Sequence, residues 1–169
     1  MDIIIREAKP RDAAQLLAFV EALAAETDID VPLEPGEFNL TIEEEEKILK
    51  GYAESKNSVF LVAETDGKII AELTCRGSKP KALRHVAYLG MSVSREWRGQ
   101  GVGTALMEKL VHWARENGVI KRIELNVYAR NKVGIHLYEK FGFVIEGCRR
   151  NAIYQGGKYL DDLVMALLI

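Results

Sequence analysis

Cysteine and long apolar runs are both scarce in this chain. Its 169 residues include two cysteines and three histidines, and no apolar run approaches the roughly 20 residues that cross a bilayer. Cys75 and Cys148 lie far apart and form no Cys-x-x-Cys or Cys/His cluster, and the histidines are not spaced as metal ligands. No basic segment precedes a longer apolar stretch near the N-terminus, so no secretory signal is predicted. We therefore expect reduced thiols, no metal site and a cytoplasmic location.

The net charge of −2 hides a strong asymmetry. Nine acidic residues and no Lys or Arg lie between Glu26 and Glu46, so the rest of the chain carries +7. A basic patch can indicate nucleic acid, but no aromatic-interleaved basic stripe or nucleic-acid motif accompanies it. A polyphosphate ligand accounts for the positive region, and we expect neither a nucleic-acid nor a membrane partner.

Length and hydrophobic periodicity predict a single α/β domain over residues 1–169. Asp12 and Thr41 are predicted helix caps, and Asp66-Gly67 is a predicted hairpin turn. The helix that follows Gly101 connects two strands, and a connection of that length indicates a parallel pair. We expect a mixed sheet of about six to seven strands flanked by about four helices.

A glycine-rich segment follows the predicted strand that ends at Val93. It reads Arg98-Gly99-Gln100-Gly101-Val102-Gly103 and leads into an amphipathic helix. Glycine allows a tight turn, and the first N–H groups of a helix lack intrahelical partners and carry partial positive charge. Thr104-Ala105 replaces the Lys-Ser/Thr of a Walker loop, and the third glycine of a dinucleotide loop is absent. The segment is therefore either a pyrophosphate site or an ordinary turn.

A second segment carries a resemblance to a known family. It reads Asn131-Lys132-Val133-Gly134-Ile135-His136-Leu137-Tyr138-Glu139-Lys140-Phe141-Gly142-Phe143. Together with the Arg-x-x-Gly-x-Gly loop, it resembles the two recurring motifs of the GCN5-related N-acetyltransferases (the GNAT family), in the same order. Gly134 departs from the usual alanine of that pattern. The resemblance extends from about Val59 to Phe143.

The resemblance implies acetyl-CoA as co-substrate, no metal, and a set of binding residues. Backbone N–H groups of Gly101, Val102, Gly103 and Thr104 would hold its pyrophosphate, with Arg98, Gly99 and Gln100 forming the start of the loop. Backbone groups of Met91 and Val93 would bond the pantetheine arm as an added strand does. Asn131 would bond near the pantetheine or the phosphates, and it is also a plain helix cap.

Three residues are catalytic candidates. The resemblance implies that Tyr138 faces the thioester sulfur as an acid, while core packing is the alternative. Glu72 and Asn126 are candidates for the general base or for holding a water, and each is otherwise an exposed sheet residue. The run Glu43 to Glu46 is interpreted as a solvated helix face or as a wall that attracts a cationic acceptor.

These observations predict an N-acetyltransferase in which a primary amine attacks acetyl-CoA directly in a ternary complex. The acceptor is either a small cationic molecule or a protein N-terminus. A non-catalytic acyl-CoA-binding or regulatory module of the same fold is the alternative. The acidic segment from Glu26 to Glu46 could equally form a dimer contact, so a homodimer is a further expectation.

Overall fold

The computed structural model describes residues 2–169. It contains one mixed sheet of seven strands and four α-helices. The strands are β1 (Ile4–Glu7), β2 (Val59–Thr65), β3 (Lys68–Gly77), β4 (Val86–Val93), β5 (Arg122–Tyr128), β6 (Val144–Gln155) and β7 (Lys158–Leu168). The helices are α1 (Ala13–Ala24), α2 (Ile42–Glu54), α3 (Val102–Asn117) and α4 (Lys132–Lys140). The predicted α/β fold with six to seven strands and four helices is therefore confirmed.

The sheet order is β1-β2-β3-β4-β5-β7-β6. Asp66 and Gly67 both adopt positive φ in the turn between β2 and β3, as a tight hairpin requires. Every neighbouring pair is antiparallel except β4 and β5, which are parallel and joined by the α3 crossover. The sequence prediction of a parallel pair at this crossover is confirmed.

The parallel pair diverges after only three register positions. Val86, Ala87 and Tyr88 of β4 pair with Arg122, Ile123 and Glu124 of β5, and the ladder ends there. Beyond it, β4 remains paired with β3 through Val93, and β5 remains paired with β7 through Tyr128. The C-terminal halves of β4 and β5 therefore bound a gap in the middle of the sheet.

Two helical layers cover the two faces of the sheet. On one face, Leu106 and Leu110 of α3 and Ile135 of α4 pack with strand residues such as Leu73 and Ile123. On the other face, the packed residues come from α1, α2 and the first strands: Leu16, Leu49, Phe60, Val62 and Ile69. Alternate residues of β2 reach opposite cores, as the two-residue period of a strand requires. No helix of residues 2–169 is long and apolar enough to span a bilayer.

The predicted helix caps are confirmed at two places and wrong at one. Thr41 and Glu44 form a reciprocal capping box at the start of α2, and Asn131 Oδ1 accepts a hydrogen bond from Gly134 N–H at 2.9 Å. Asp12 precedes α1 as expected but makes no capping bond to that helix. Its carboxylate instead accepts a bidentate, charge-assisted pair of hydrogen bonds from the Arg6 guanidinium and a third from the Lys9 N–H.

Arg6 joins β1, β2 and the start of α1 through ion pairs. Its Nη1 lies 2.7 Å from Asp12 Oδ2, and its Nη2 lies 2.6 Å from Glu64 Oε2. Asp12 is buried, and the Arg6 hydrogen bonds lower the pKa of its carboxyl below the ordinary value of 3.8. Because α1 also walls the cavity described below, this network positions part of the candidate site.

We expect Asp12→Asn to lower the free energy of unfolding at pH 7 by about 2 kcal/mol, because it leaves a partly buried guanidinium without one of its two partners. A lowered carboxyl pKa stabilises the fold above the unfolded-state pKa, and that stabilisation is lost as the pH falls. The difference between the two proteins should therefore shrink below pH 4. Urea unfolding at several pH values measures it. Glu7→Gln, at an exposed carboxylate, is the matched control, and an equal loss in both variants would contradict the assignment.

Candidate active site

A largely apolar cavity of about 320 Å³ lies between α1, α2, the connecting segment 25–41 and strands β2, β3 and β4. Its lining residues are Leu16, Val20, Leu23, Val31, Pro32, Leu33, Phe38, Leu40, Glu45, Ile48, Tyr52, Phe60, Glu72, Thr74 and Ser92. A concave apolar site with a few polar groups is typical of small-molecule binding. Glu72, Thr74 and Ser92 form its polar floor on the sheet.

A second cavity, of about 330 Å³, lies on the other side of α1. Its two acidic residues are already ion-paired, because Glu26 binds Arg98 and Glu96 binds Lys68. The cavity floored by Glu72 is the better candidate, since its carboxylates have no such partners among residues 2–169.

Two carboxylates enter the cavity from opposite sides. Glu72 lies on β3 opposite Ser92 of β4, and Glu45 extends from α2. Burial, with a smaller contribution from Glu45, raises the pKa of Glu72 to about 7. Burial also raises the pKa of Glu45, which is only 5% exposed. No Lys, Arg or His lines the cavity to offset these carboxylates. The cavity is therefore suited to a cation, and Glu72 can exchange a proton near neutral pH.

Glu45 is the residue that sequence reasoning missed. The run Glu43 to Glu46 was interpreted as one solvated helix face or wall, and Glu43, Glu44 and Glu46 are indeed exposed. Glu45 is buried because it occupies the inward stripe of α2, four residues before Leu49 and seven before Tyr52. An acidic residue at helical spacing between apolar ones was the available signal.

The acidic segment, which begins at Glu26, is held against the rest of the domain by ion pairs and hydrogen bonds. Asp30 binds Arg130 at 2.7 Å, and the Val31 carbonyl accepts a hydrogen bond from Gln155, which in turn accepts one from the Tyr128 hydroxyl. Glu26 binds Arg98 at 2.7 Å. These contacts hold the apolar residues of segment 25–41 over the cavity. The walls of the cavity therefore depend on ion pairs that lie outside it.

The edge of β4 that faces the gap carries unpaired backbone groups. Ser94 N–H donates to the Ile70 carbonyl of β3 at 3.0 Å. Bonding direction alternates along an antiparallel strand, so Ser92 also bonds β3 while Met91 and Val93 direct their backbone groups to the opposite edge. The β5 ladder has already ended at that level. The Val93 carbonyl accepts a bond from Arg98 Nε at 2.9 Å, so its N–H is the group left for a ligand.

The glycine loop forms the N-terminus of α3. Gly99 and Gly101 have φ of +72° and +84°, values that glycine adopts without strain. The first intrahelical bond runs from Ala105 N–H to the Gly101 carbonyl, which leaves the N–H groups of Val102, Gly103 and Thr104 without intrahelical partners. The loop therefore presents convergent N–H groups at the positive end of a 16-residue helix.

The side chains of Arg98 and Gln100 stabilise the conformation of the loop, and Gly103 allows close packing around it. Arg98 spans from the Val93 carbonyl to Glu26, and Gln100 Nε2 donates to the Glu96 carbonyl at 2.6 Å. A Cβ on Gly103 would lie 3.2 Å from Leu137 of α4 and 3.6 Å from Met91 of β4. Gly103 therefore lets α3, α4 and β4 meet closely beside the gap.

Tyr138 lies on the opposite face of the sheet from Glu72, in the core between α4 and the strands. Its ring packs 5.7 Å from that of Phe143, and burial raises the pKa of its hydroxyl to about 12. The hydroxyl has no hydrogen-bond partner within the described residues. Tyr138 is therefore protonated at neutral pH and available to donate.

The two asparagine candidates have structural partners. Asn131 Oδ1 caps α4, and a Cβ on Gly134 would lie 2.9 Å from Asn131 Nδ2, so the glycine makes room for this cap. Asn126 is exposed on β5, where its Nδ2 donates to Asp162 Oδ2 at 3.2 Å. It does not line the cavity. The structure brings Glu72, but not Asn126, into the cavity.

Comparison with known proteins gives consistent matches. The model of the acetyltransferase (GNAT) family matches residues 15–143. L-amino acid N-acetyltransferase AaaT of Escherichia coli is 36% identical over 110 residues, which are 63% of this chain and 65% of that protein. The crystal structure of a GNAT-family acetyltransferase from Streptococcus pneumoniae is 36% identical, with a TM-score of 0.95 over 99% of both chains. A phosphinothricin acetyltransferase from Sinorhizobium meliloti, solved with acetyl-CoA, shares the fold at 19% identity and a TM-score of 0.85, over 100% of this chain and 89% of that one.

The unpaired carboxylate on β3 generates a prediction about stability. A carboxyl whose pKa is raised on folding, here from 4.5 to about 7, destabilises the folded state once the pH exceeds the lower value. The cost grows between these pH values and is complete above the higher one. Glu72→Gln should therefore raise the melting temperature at pH 8 and leave it nearly unchanged at pH 4. Glu46→Gln, at an exposed neighbour of Glu45, should change neither. A Glu72→Gln protein that melts lower at pH 8 would contradict this account.

Proposed function

The chain belongs to the GNAT family of acetyltransferases, and on that premise we propose that it transfers an acetyl group from acetyl-CoA to a primary amine by direct attack in a ternary complex. Residues 1–169 would form the N-acetyltransferase domain. The observation that carries the proposal is Glu72, an unpaired carboxylate with a pKa of about 7 on the floor of the apolar cavity. A base is most effective when its pKa lies near the working pH.

The residues around the gap fit acetyl-CoA. The N–H groups of Gly101, Val102, Gly103 and Thr104 would bind its pyrophosphate, since anions bind favourably at helix N-termini. Arg98, Gly99 and Gln100 keep the loop in the conformation that exposes these groups. Met91 and Val93 would bond the amide groups of its pantetheine arm along the free edge of β4. When bound, acetyl-CoA supplies the acetyl group as a reactive thioester.

Glu72 is the proposed proton acceptor for the amine. A primary amine enters as an ammonium ion, because its pKa lies well above 7, and must lose a proton before it can attack. Burial raises the pKa of Glu72 to about 7, which makes the carboxylate basic enough to accept that proton near neutral pH. The Val93 N–H, on the free edge of β4, would polarise the acetyl carbonyl.

Tyr138 is proposed to donate a hydrogen bond to the departing sulfur. A phenol whose pKa is about 12 is a weaker acid than a thiol near 8.5, so full proton transfer to a thiolate would be uphill. Stabilising negative charge on the sulfur requires only that the hydroxyl remain protonated, and burial ensures this. Asn131 Nδ2 and the free Oδ1 of Asn126 remain available for the cofactor and for a water, respectively.

The cavity favours a cationic acceptor. The segment 25–41 contributes only apolar side chains to the lining, and its acidic residues Glu26 and Asp30 are used in ion pairs elsewhere. Glu45 and Glu72 therefore supply the local charge. Between the two acceptor classes, a small cationic molecule fits a cavity of about 320 Å³ better than a protein N-terminus, which brings the rest of its chain with it.

We propose a homodimer formed through the sheet edge at β6. The outer edge of this strand has no strand partner among residues 2–169, and exposed side chains such as Val144, Tyr154 and Tyr159 project nearby. Unprotected strand edges with apolar side chains tend to associate. Sedimentation analysis at micromolar concentration checks this. The exposed free thiol of Cys148 fits a reducing compartment, and a cytoplasmic location is proposed on that ground.

Ligand-dependent stability tests the pyrophosphate loop. Acetyl-CoA should raise the melting temperature, since it binds only the native state. Gly101→Asp should abolish that increase by directing a negative charge at the bound phosphates. Gly101→Asn carries the same backbone strain without the charge and should keep most of the increase. Gly118→Asp, at the C-cap of α3 with a similar φ of +75°, controls for strain elsewhere. An equal increase from ATP or NAD, with none from CoA, would contradict the cofactor assignment.

Steady-state kinetics test the two catalytic assignments. In the wild-type protein kcat/KM should fall below about pH 7, because protonated Glu72 cannot accept the amine proton. Glu72→Gln should lower kcat about 10²-fold and remove this dependence. Tyr138→Phe should lower kcat with an unchanged affinity for acetyl-CoA, whereas Tyr154→Phe, at an exposed tyrosine, should have no effect. Acetyl-CoA binding without turnover of any amine would instead indicate the non-catalytic module.

A further inference from the structure

The charged residues that line the cavity are all acidic. Ten of its fifteen lining residues are apolar, and the two charged ones, Glu45 and Glu72, are both acidic. The remaining polar contributions come from Ser92, Thr74 and the Tyr52 hydroxyl. None of these can neutralise a carboxylate or phosphate on a ligand.

Glu45 is largely buried, and its carboxylate lines the cavity without a partner among residues 2–169. The other buried carboxylates of the described chain are each held by an arginine, Asp12 by Arg6 and Asp162 by Arg149. Glu45 is 5% exposed and receives neither a hydrogen bond nor an ion pair from residues 2–169. Partial desolvation raises the free energy of the ionised Glu45 carboxylate, so a cationic group on a ligand in the cavity would stabilise it.

We infer that the acceptor is a primary amine with an apolar body and no carboxylate, whose ammonium group is held between Glu45 and Glu72. The inference rests on the proposed function and names the substrate class of the same site. Glu45 is the anchoring anion, and Glu72 receives the proton. The apolar lining from α1 and the segment 25–41 holds the body of the amine.

The reaction balances with these roles. One ammonium proton passes to Glu72, and the amine nitrogen forms a bond to the acetyl carbon as the carbon–sulfur bond breaks. A second proton leaves the nitrogen and ends on the CoA sulfur. Glu45 gains and loses nothing, which suits a carboxylate that only anchors the substrate.

An amino acid is a poor fit for the same cavity. Its α-carboxylate would lie within a few ångströms of its amine, and therefore beside two carboxylates, with no Lys, Arg or His among the residues that line the cavity. Arg76, which follows Thr74 on the same face of β3, is exposed. Like charges placed together in a desolvated site repel each other strongly. The decarboxylated amine has the same body without this penalty. The chain would thus differ in acceptor from its relative in E. coli, which is named for L-amino acids.

Matched acceptor pairs test the inference on the unmodified protein. Phenethylamine is compared with phenylalanine, tyramine with tyrosine, and isoamylamine with leucine, by following CoA thiol release. We expect kcat/KM to be about 100-fold higher for each amine than for its amino acid. Phenylalaninamide, which keeps the body but loses the negative charge, should behave like phenethylamine. An amino acid equal to or better than its amine would overturn the inference, as would a peptide N-terminus better than every amine.

Variants then separate anchoring from catalysis. Glu45→Gln should raise KM for phenethylamine at least 10-fold with a small effect on kcat and none on KM for acetyl-CoA. Glu46→Gln should leave all three unchanged. An unchanged KM for phenethylamine in Glu45→Gln would overturn the role of Glu45. Failure of the whole panel, amino acids and peptides included, while acetyl-CoA still raises the melting temperature, would overturn the proposed function itself and the inference with it.

Discussion

The divergence of β4 from β5 is the constraint on which the rest of the site depends. Two parallel strands that pair for only three positions must leave backbone groups unsatisfied beyond them, and those of Met91 and Val93 face the resulting gap. Such groups are costly to leave unpaired, so the gap is prepared for a ligand that supplies hydrogen bonds along its length. The N-terminus of α3 lies at one end of this free edge, because α3 follows β4 after a short turn.

The treatment of buried charge distinguishes structural from functional carboxylates. Asp12 and Asp162 each hold an arginine, and Asp162 also accepts a bond from Asn126. Glu45 and Glu72 are left without such partners in an apolar cavity, and the pKa of each is raised. A protein that pairs its structural charges but leaves two carboxylates uncompensated accepts a loss of stability there, which is a common property of binding and catalytic sites.

Local patterns of the sequence predicted the architecture well. The cap at Thr41 and the Asp66-Gly67 hairpin were confirmed because each depends on residues close together along the chain. The parallel pair was confirmed because a connection as long as α3 indicates one. The error at Asp12 came from a partner on another element. A capping signal competes with any charged group brought near it, and Arg6 is the stronger partner. The burial of Glu45 was readable from helical spacing, but its meaning depended on the cavity that it enters.

The sequence by itself determined the order of elements, the glycine loop and the membership in the GNAT family, because these depend on short motifs and on periodicity. Only the tertiary structure decided which polar residues share a site. Glu72 and Asn126 were equivalent as sequence candidates, and both lie on the same face of the sheet. The fold surrounds Glu72 with apolar side chains and bonds Asn126 to Asp162. Desolvation by residues distant in the chain sets the pKa of a carboxylate, and no local pattern encodes it.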